Sequence, residues 1–580
     1  MRKSKLAKLD KKLRPWLKHY GDIPSNLEYP DFSISEMIMQ SAEKWPNNIA
    51  YTYYGVKVTY TEFVEKIKMV ARALKSYGVK ENDKVTICMP NTPEGIVMVY
   101  AVNMIGAICN MVHPLSSEKE LEYYINACDS KYILVIDQVF EKIYRIKDST
   151  NLKKIIVATP AHEAGIAIAG IYWITKGRHI KFPKNDSSVV MWDEFIRSSK
   201  WYHGDVEEKR RAYDPAIILY SGGTTGNPKG ILLSNLSFNA LGIMATTVIK
   251  QAQPGAKILS ILPLFHGFGL GVCVHTPFCK GMNCILIPSF SKKKFGEIIK
   301  RNQPNFIVGV PTLYEALLQN KLGPNDLSSV HAAICGGDAL NTALRDKVNN
   351  YLHEHGSDAM IRVGYGLTEG TAANCLSLEN SFDDNIIGVP FPDTYFKIVL
   401  PGTHEEAPVG VDGEICISGP LVMMGYLNDD KETMQTLRYH DDGKLWLHTG
   451  DMGYLSKDGL FYFSQRIKRM IISSGYNIYP TYLESIINTH DAVLTSTVIG
   501  IPHPYKGQVA KAFIVLKSGY KPSRAIEKEI KELLSKNVAL YSLPAEYEFR
   551  EKLPTTLVGK VAFKELEKEE QLKHKKKGSK

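Results

Sequence analysis

The chain has 580 residues, 44% hydrophobic and 23% charged, with a formal net charge of +10 at pH 7. That length exceeds a single hydrophobic core and predicts several packed units, while the ordinary soluble composition excludes a disordered chain and a polytopic membrane protein. No segment reaches the ~18 to 20 apolar residues of a spanning helix, and the nine cysteines form no C-x-x-C pair, so neither a disulfide framework nor a zinc site is implied.

Much of the charge lies at the ends. Residues 2–14 hold seven Lys or Arg against one Asp, and the closing KHKKKGSK adds five Lys. Such runs read as solvated tails. A nucleic-acid partner is not expected, because neither aromatic interleaving nor a recognised binding module accompanies them. The opening MRKSKLAKLDKKLRPW is charged from its second residue and has no apolar core, so it is not a secretory signal, and a cytoplasmic location is the expectation.

From about residue 34 onward, helix and strand signals alternate. Residues 63–77 place apolar side chains at helical spacing, 84–89 read as a strand, 92–105 as a buried helix and 107–112 as a further strand. This alternation predicts an α/β architecture: a large N-terminal domain of several subdomains with helix-covered sheets, followed by a small mobile α+β domain. The boundary is placed after residue 466, giving domains of 1–466 and 467–580, with strands at 495–501 and 510–516 and a helix at 523–537 in the second. Residues 164–181, AGIAIAGIYWITKGRHIK, join a short apolar stretch with two aromatics to a basic run. That composition suits a membrane interface and equally a partly buried surface helix or loop, and the basic termini are the other candidates for peripheral membrane contact.

The most informative segment is YSGGTTGNPKG at 220–230. Gly222, Gly223 and Gly226 allow close backbone approach to a phosphate, Ser221, Thr224 and Thr225 offer hydroxyls, and Lys229 supplies charge. Strand-like runs at 216–219 and 231–233 flank it, which separates it from a P-loop, where the glycines and lysine run straight into a helix.

Further blocks follow in order: PLFHGFGL at 263–270, ICGGDAL at 334–340, GYGLTEG at 364–370, LWLHTGDMG at 445–453, SQRIKRMIISSGYNIYP at 464–480 and LPTTLVGK ending at Lys560. Together they resemble the adenylate-forming superfamily of acyl-CoA synthetases, nonribosomal-peptide adenylation domains and luciferases, over nearly the whole chain. The resemblance implies that a carboxylate attacks the α-phosphorus of ATP, expels pyrophosphate and forms an acyl-adenylate, which a thiol such as that of coenzyme A then opens. Negative charge accumulates in the first step, so positioning and electrostatic stabilisation dominate, with Mg²⁺ expected on the phosphates.

Residue roles carried by the resemblance are specific. Ser221 to Gly226 and Lys229 would cradle phosphate, with Thr224 and Glu369 holding Mg²⁺. Tyr365 would stack on adenine, Thr368 would bind the phosphate, and Gly337, Asp338 and Gly366 would help bind the nucleotide. Asp451 and Arg466 would hold the ribose, and Lys560 would reach across from the small domain to the phosphate and carboxylate. Lys468 would be the hinge, Gly475 would line the pantetheine tunnel, and His266 would sit beside the substrate carboxylate. The acyl pocket would draw on 238–242, 308–314, 336–340 and 365–371. Gln465, Tyr482 and Thr555 depart from the common pattern without removing a catalytic charge. A medium- or long-chain fatty acid is the expected substrate; an aryl- or bile-acid-CoA ligase and a fatty-acyl-AMP ligase loading a carrier protein are the alternatives. A non-catalytic nucleotide-binding protein would not need Lys560.

Overall fold

The apolar run KVTIC forms the strand Lys84–Cys88, and the helix after it, Pro93–Met104, starts where the Thr92 hydroxyl accepts the Gly95 amide (3.4 Å) with Pro93 in the first turn. All twelve residues of that helix are buried, which suits a segment apolar on every face. The helix Tyr60–Ser76 opens with a capping box between Thr59 and Glu62 and turns only one face inward, through Phe63, Ile67, Val70 and Leu74. The computed structural model describes residues 14–183, 185–221, 228–379, 383, 385–473, 476–478, 480–503, 505–538, 540–555 and 561–578.

These elements build three sheets. In an eight-stranded sheet, Lys84–Cys88 lies between the parallel strands Ile108–Met111 and Tyr132–Ile136. Pro215–Ser221 extends it and turns back as an antiparallel hairpin with Lys229–Ser234, paired as far as Ser221 opposite Lys229. The glycine-rich segment thus joins two strands, as its flanks predict.

A 14-stranded sheet carries the remaining large-domain blocks. Its parallel part runs through Phe306–Gly309, Ala332–Gly336 and Ile361–Tyr365, so that the ICGGDAL and GYGLTEG blocks leave the same ends of neighbouring strands. Carboxyl ends of parallel strands are where α/β folds place ligands. From Ile361–Tyr365 the sheet continues antiparallel through Cys375–Leu376, Ile386–Pro390 and Phe461–Arg466 to Leu445–Leu455.

The third sheet, of five strands, is made wholly of residues after 470, as expected for a small α+β domain. Val493–His503 and Gly507–Leu516 form its long hairpin, and Pro480–Ile487 and Arg524–Asn537 are its helices. Alternation along the hairpin feeds two separate cores, Val498 and Ile514 to one face, Ile499 and Phe513 to the other. The hairpin strands run longer than 495–501 and 510–516, pairing on through Pro502 with Gln508 and His503 with Gly507 at one end and past a register shift to Val493 at the other. The segment 164–181 is a surface helix, Ile166–Thr175, followed by the turn Gly177–His179. Among the described residues no helix is long and apolar enough to cross a membrane.

Lys511, buried on this small sheet, gathers Glu546, Glu548 and Glu570 at 3.1, 2.9 and 2.9 Å. Burial would raise the Glu548 carboxyl, but hydrogen bonds from Lys511 and Arg550 outweigh it and hold the group at about 2. A depressed carboxylate contributes stability that is present above its ordinary value of 4.5 and lost as pH falls toward about 2. Glu548→Gln is therefore expected to lower the melting temperature at about pH 7 and to cost progressively less as pH falls to about 3. An equal deficit at both pH values would contradict this.

Candidate active site

Antiparallel register sets Asp451 directly opposite Arg466. Asp451 is only 2% exposed, and burial of that charge is offset by the Arg466 guanidinium (Nε to Oδ1, 3.2 Å) and by the Tyr365 hydroxyl donating to Oδ2 (2.9 Å). Asp451 in turn holds the Arg466 guanidinium above its usual range, and burial, then Asp451, pushes the Tyr365 phenol well up. Tyr365 ends its strand among Phe396 and Phe463, with ring centroids at 6.2 and 6.4 Å. Three sequence-predicted residues, from strands separated by up to a hundred positions, therefore form one polar cluster in an apolar setting.

Beyond Tyr365 the chain folds back sharply. Thr368–Gly370 is a single 3-10 turn, and Thr371 and Ala372, neither a glycine, both take positive φ (52° and 78°). That backbone is costly and persists because its surroundings enforce it: Thr371 Oγ1 donates to the Leu421 carbonyl at 2.7 Å. Gly366 is required, since a Cβ there would lie 1.9 Å from the Ala372 carbonyl oxygen. The turn presents Thr368 and Glu369, both half-buried, just beyond the carboxyl end of the strand Ile361–Tyr365.

Glu369 Oε1 accepts from the Tyr426 hydroxyl at 3.1 Å. Tyr426 reaches it because Gly425–Tyr426 pairs with Lys229–Ser234, the strand that leaves the glycine-rich segment. Lys229 lies 5.0 Å over the Tyr426 ring and is ion-paired with Glu432. Burial pushes the Glu369 carboxyl up, the Tyr426 hydrogen bond and the Arg466 charge opposing it. A desolvated carboxylate of this kind gains from a cation. Mg²⁺ is commonly held by one or two carboxylates together with substrate phosphates, and Glu369 fits that donor set.

The PLFHGFGL block packs beside these loops. His266 is half-buried at the head of a turn, its Nδ1 accepting the Phe268 amide at 3.2 Å. Phe268 covers Gly336 and Gly337, Val310 also flanks Gly337, and Gly267 faces Ala372 and Leu219. Gly337 has φ +78°, and Asp338 beside it is exposed. Gly271 allows Leu241 and Phe238, buried in the helix Asn235–Val248, to pack close behind. Phe238 and Leu241 thus pack against Gly271, and Val310 against Gly337.

Several predicted residues lie outside the described residues: Gly222, Gly223, Thr224, Thr225, Gly226, Gly475 and Lys560. Of Ser221 the structure describes the strand end only, and of Lys468 the turn Ile467–Arg469 that follows Arg466. Thr555 and Val561, on either side of the segment ending at Lys560, form an antiparallel bridge.

Sequence reasoning missed Tyr426, Glu432 and Glu414. Glu414 is buried and bridges the TGD loop, accepting the Gly450 amide (2.9 Å) through Oε1 and meeting His448 Nδ1 (2.8 Å) through Oε2. The only local hint was an acid inside the otherwise apolar strand Gly413–Ser418. Beside it, burial and then Lys397 bring His440 down to about 4.

The model of AMP-binding enzymes matches residues 38–427, and that of the AMP-binding enzyme C-terminal domain matches residues 482–560. The chain belongs to the AMP-binding enzyme family. A long-chain-fatty-acid–CoA ligase of Bacillus subtilis is 33% identical over 569 residues, covering 97% of this chain and 99% of that protein. A protein of the same name in Salmonella typhimurium is 28% identical, with 96% and 98% covered. Among solved structures, the anthranilate CoA ligase AuaEII in complex with anthranoyl-AMP superposes with a TM-score of 0.79 at 22% identity, over 96% of this chain and 99% of that one. The large N-terminal part matches the AMP-binding enzyme model and the small C-terminal part the C-terminal domain model, and the fold is that of AuaEII.

Because a side chain at 366 displaces the backbone that carries Thr368 and Glu369, Gly366→Ala is expected to weaken AMP binding by roughly tenfold or more, measured by calorimetry. Unchanged affinity would show that this turn does not set the nucleotide site.

Proposed function

We propose that this member of the AMP-binding family is an ATP-dependent acyl-CoA synthetase for medium- or long-chain fatty acids. A fatty carboxylate and ATP give an acyl-adenylate and pyrophosphate, and the coenzyme A thiol then displaces AMP to leave acyl-CoA. The observation that carries this reading is the convergence of Tyr365, Asp451 and Arg466 with Glu369, Tyr426 and Lys229 around the turn Thr368–Gly370. One group offers a carboxylate for ribose hydroxyls; the other offers a carboxylate and a lysine at the phosphate end. His266 and its apolar neighbours support placement of the substrate carboxylate and chain on the adjoining side.

In this assignment Asp451 accepts hydrogen bonds from both ribose hydroxyls while paired with Arg466 in a buried setting. Tyr365 offers its ring to the adenine while its hydroxyl fixes Asp451. Thr368 donates to the α-phosphate, and Lys229 exchanges Glu432 for phosphate oxygens. Ser221, Gly222, Gly223, Thr224, Thr225 and Gly226 wrap the outer phosphates. When bound, Mg²⁺ neutralises phosphate charge, with Glu369 and Thr224 as its protein ligands. Lys560 draws the carboxylate and α-phosphate together, and after pyrophosphate leaves, the small domain turns about Lys468, removing Lys560 and bringing Gly475 to the thiol's path. We place the domain boundary at this turn, between 466 and 467.

Two half-reactions test the scheme. Released AMP and pyrophosphate, assayed over a panel of carboxylic acids with and without coenzyme A, should rise with fatty acids. Lys560→Ala should lose adenylation by about a hundredfold, the ~3 kcal/mol value of one cation in a water-excluded transition state, yet still convert a supplied acyl-adenylate. Lys468→Pro should show the reverse pattern. Equal loss of both steps in Lys560→Ala would overturn its role.

We further propose that the helix Ile166–Thr175 rests on a lipid surface. Tyr172 ties it to Asp137 (2.8 Å), while Ile166, Ile171, Trp173 and Ile174 are 95, 63, 63 and 54% exposed, with Arg178 and Lys181 following. Burying such side chains is worth about 1.5–3 kcal/mol each, and the basic residues favour anionic headgroups. Replacing Ile171 and Trp173 by Glu should abolish sedimentation with anionic vesicles and leave turnover of a soluble short-chain acid unchanged; retained sedimentation would exclude this helix as the contact.

A further inference from the structure

Three histidines that the scheme above does not use meet behind the TGD loop. His440 and His448 face each other with their Nε2 atoms 2.9 Å apart, and the His404 ring stacks on His440 at 4.2 Å and 12°. One ligand nitrogen from each of the three lies within 4.8 Å of the other two. Bonds of about 2.0–2.1 Å to a single Zn²⁺ are then within reach of small side-chain adjustments. Nothing in the spacing of these residues, at 404, 440 and 448, resembles a zinc motif; the strands Leu437–Tyr439 and Leu445–Leu455, paired antiparallel, bring the last two together.

The surroundings are those of a built site. His440 and His448 are 5% and 7% exposed, and Trp446 covers the His440 ring at 5.8 Å. Glu414 Oε2 accepts the His448 Nδ1 proton at 2.8 Å, which leaves the His448 Nε2 lone pair pointing at His440. A carboxylate that orients an imidazole in this way is the usual outer partner of a metal-binding histidine. His440 Nδ1 is buried without a hydrogen-bond partner among the described residues, so the Nε2 contact with His448 leaves one polar atom of this ring unsatisfied. Lys397, the nearby cation, is engaged by Asp442 at 3.4 Å and lies over the Trp446 ring at 4.1 Å. His404 is exposed and gives an entry path.

A second grouping, Glu414, Cys416 and His448, shares the same histidine. It needs His448 Nδ1, which Glu414 already holds, and a thiol that burial and then Glu414 push well up and so keep protonated.

We propose that His404, His440 and His448 form a binding site for a borderline transition-metal dication, Zn²⁺ above all, with Glu414 as the orienting carboxylate and a solvent-side position left open. The site lies one residue chain from the nucleotide reading, since Glu414 Oε1 also accepts the Gly450 amide at 2.9 Å, but it stands on the histidines alone. Zinc is titrated into the full-length, nucleotide-free chain in competition with a chromophoric chelator, so the readout is independent of catalysis. The wild-type chain should take up one equivalent, and His404→Ala, a change at an exposed position, should weaken uptake at least tenfold. Cys416→Ser should leave it unchanged. Absence of stoichiometric uptake, equal affinity in His404→Ala, or a tenfold loss in Cys416→Ser would each overturn the assignment.

Discussion

The structure turns on how the almost wholly buried Asp451 carboxyl is paired. A carboxylate in that position is destabilising unless a cation and a hydrogen-bond donor are supplied together. Arg466 comes from the neighbouring antiparallel strand and Tyr365 from the end of the parallel run. Both halves of the 14-stranded sheet must therefore be joined in the correct register before the site exists. The turn holding Thr368 and Glu369 begins right after Tyr365, and the link to the small domain begins right after Arg466. One cross-strand contact thereby places the turn holding Thr368 and Glu369 and the start of the segment leading to the third sheet beside each other.

Much of this was legible locally. Apolar periodicity located helices to within a few positions, and strand signals on each side of 220–230 correctly placed that segment between two strands rather than ahead of a helix. The order of the blocks was enough to name Tyr365, Glu369, Asp451 and Arg466 as companions. Tyr365, Glu369 and Arg466 lie at a turn or a strand end, where one short stretch of sequence specifies one backbone shape.

What stayed hidden depends on long-range pairing. Tyr426 reaches Glu369 only because a two-residue strand adds to the edge beside Lys229. Glu414 meets the Gly450 amide across a register that shifts between Glu414 and Cys416. The three clustered histidines share no spacing, because the fold brings together side chains that are far apart in the chain. The positive φ at Thr371 and Ala372 is equally invisible in residue type, since neither is a glycine.

The central claim is that this site makes an acyl-adenylate before any thiol enters. The direct measurement is a single-turnover reaction of the full chain with ATP, Mg²⁺ and a long-chain fatty acid, quenched before and after coenzyme A is added and resolved by mass spectrometry. The account predicts fatty acyl-AMP and pyrophosphate in the first phase, then acyl-CoA and AMP in step with loss of the adenylate. Formation of ADP and phosphate, or acyl-CoA without a preceding adenylate, would contradict it.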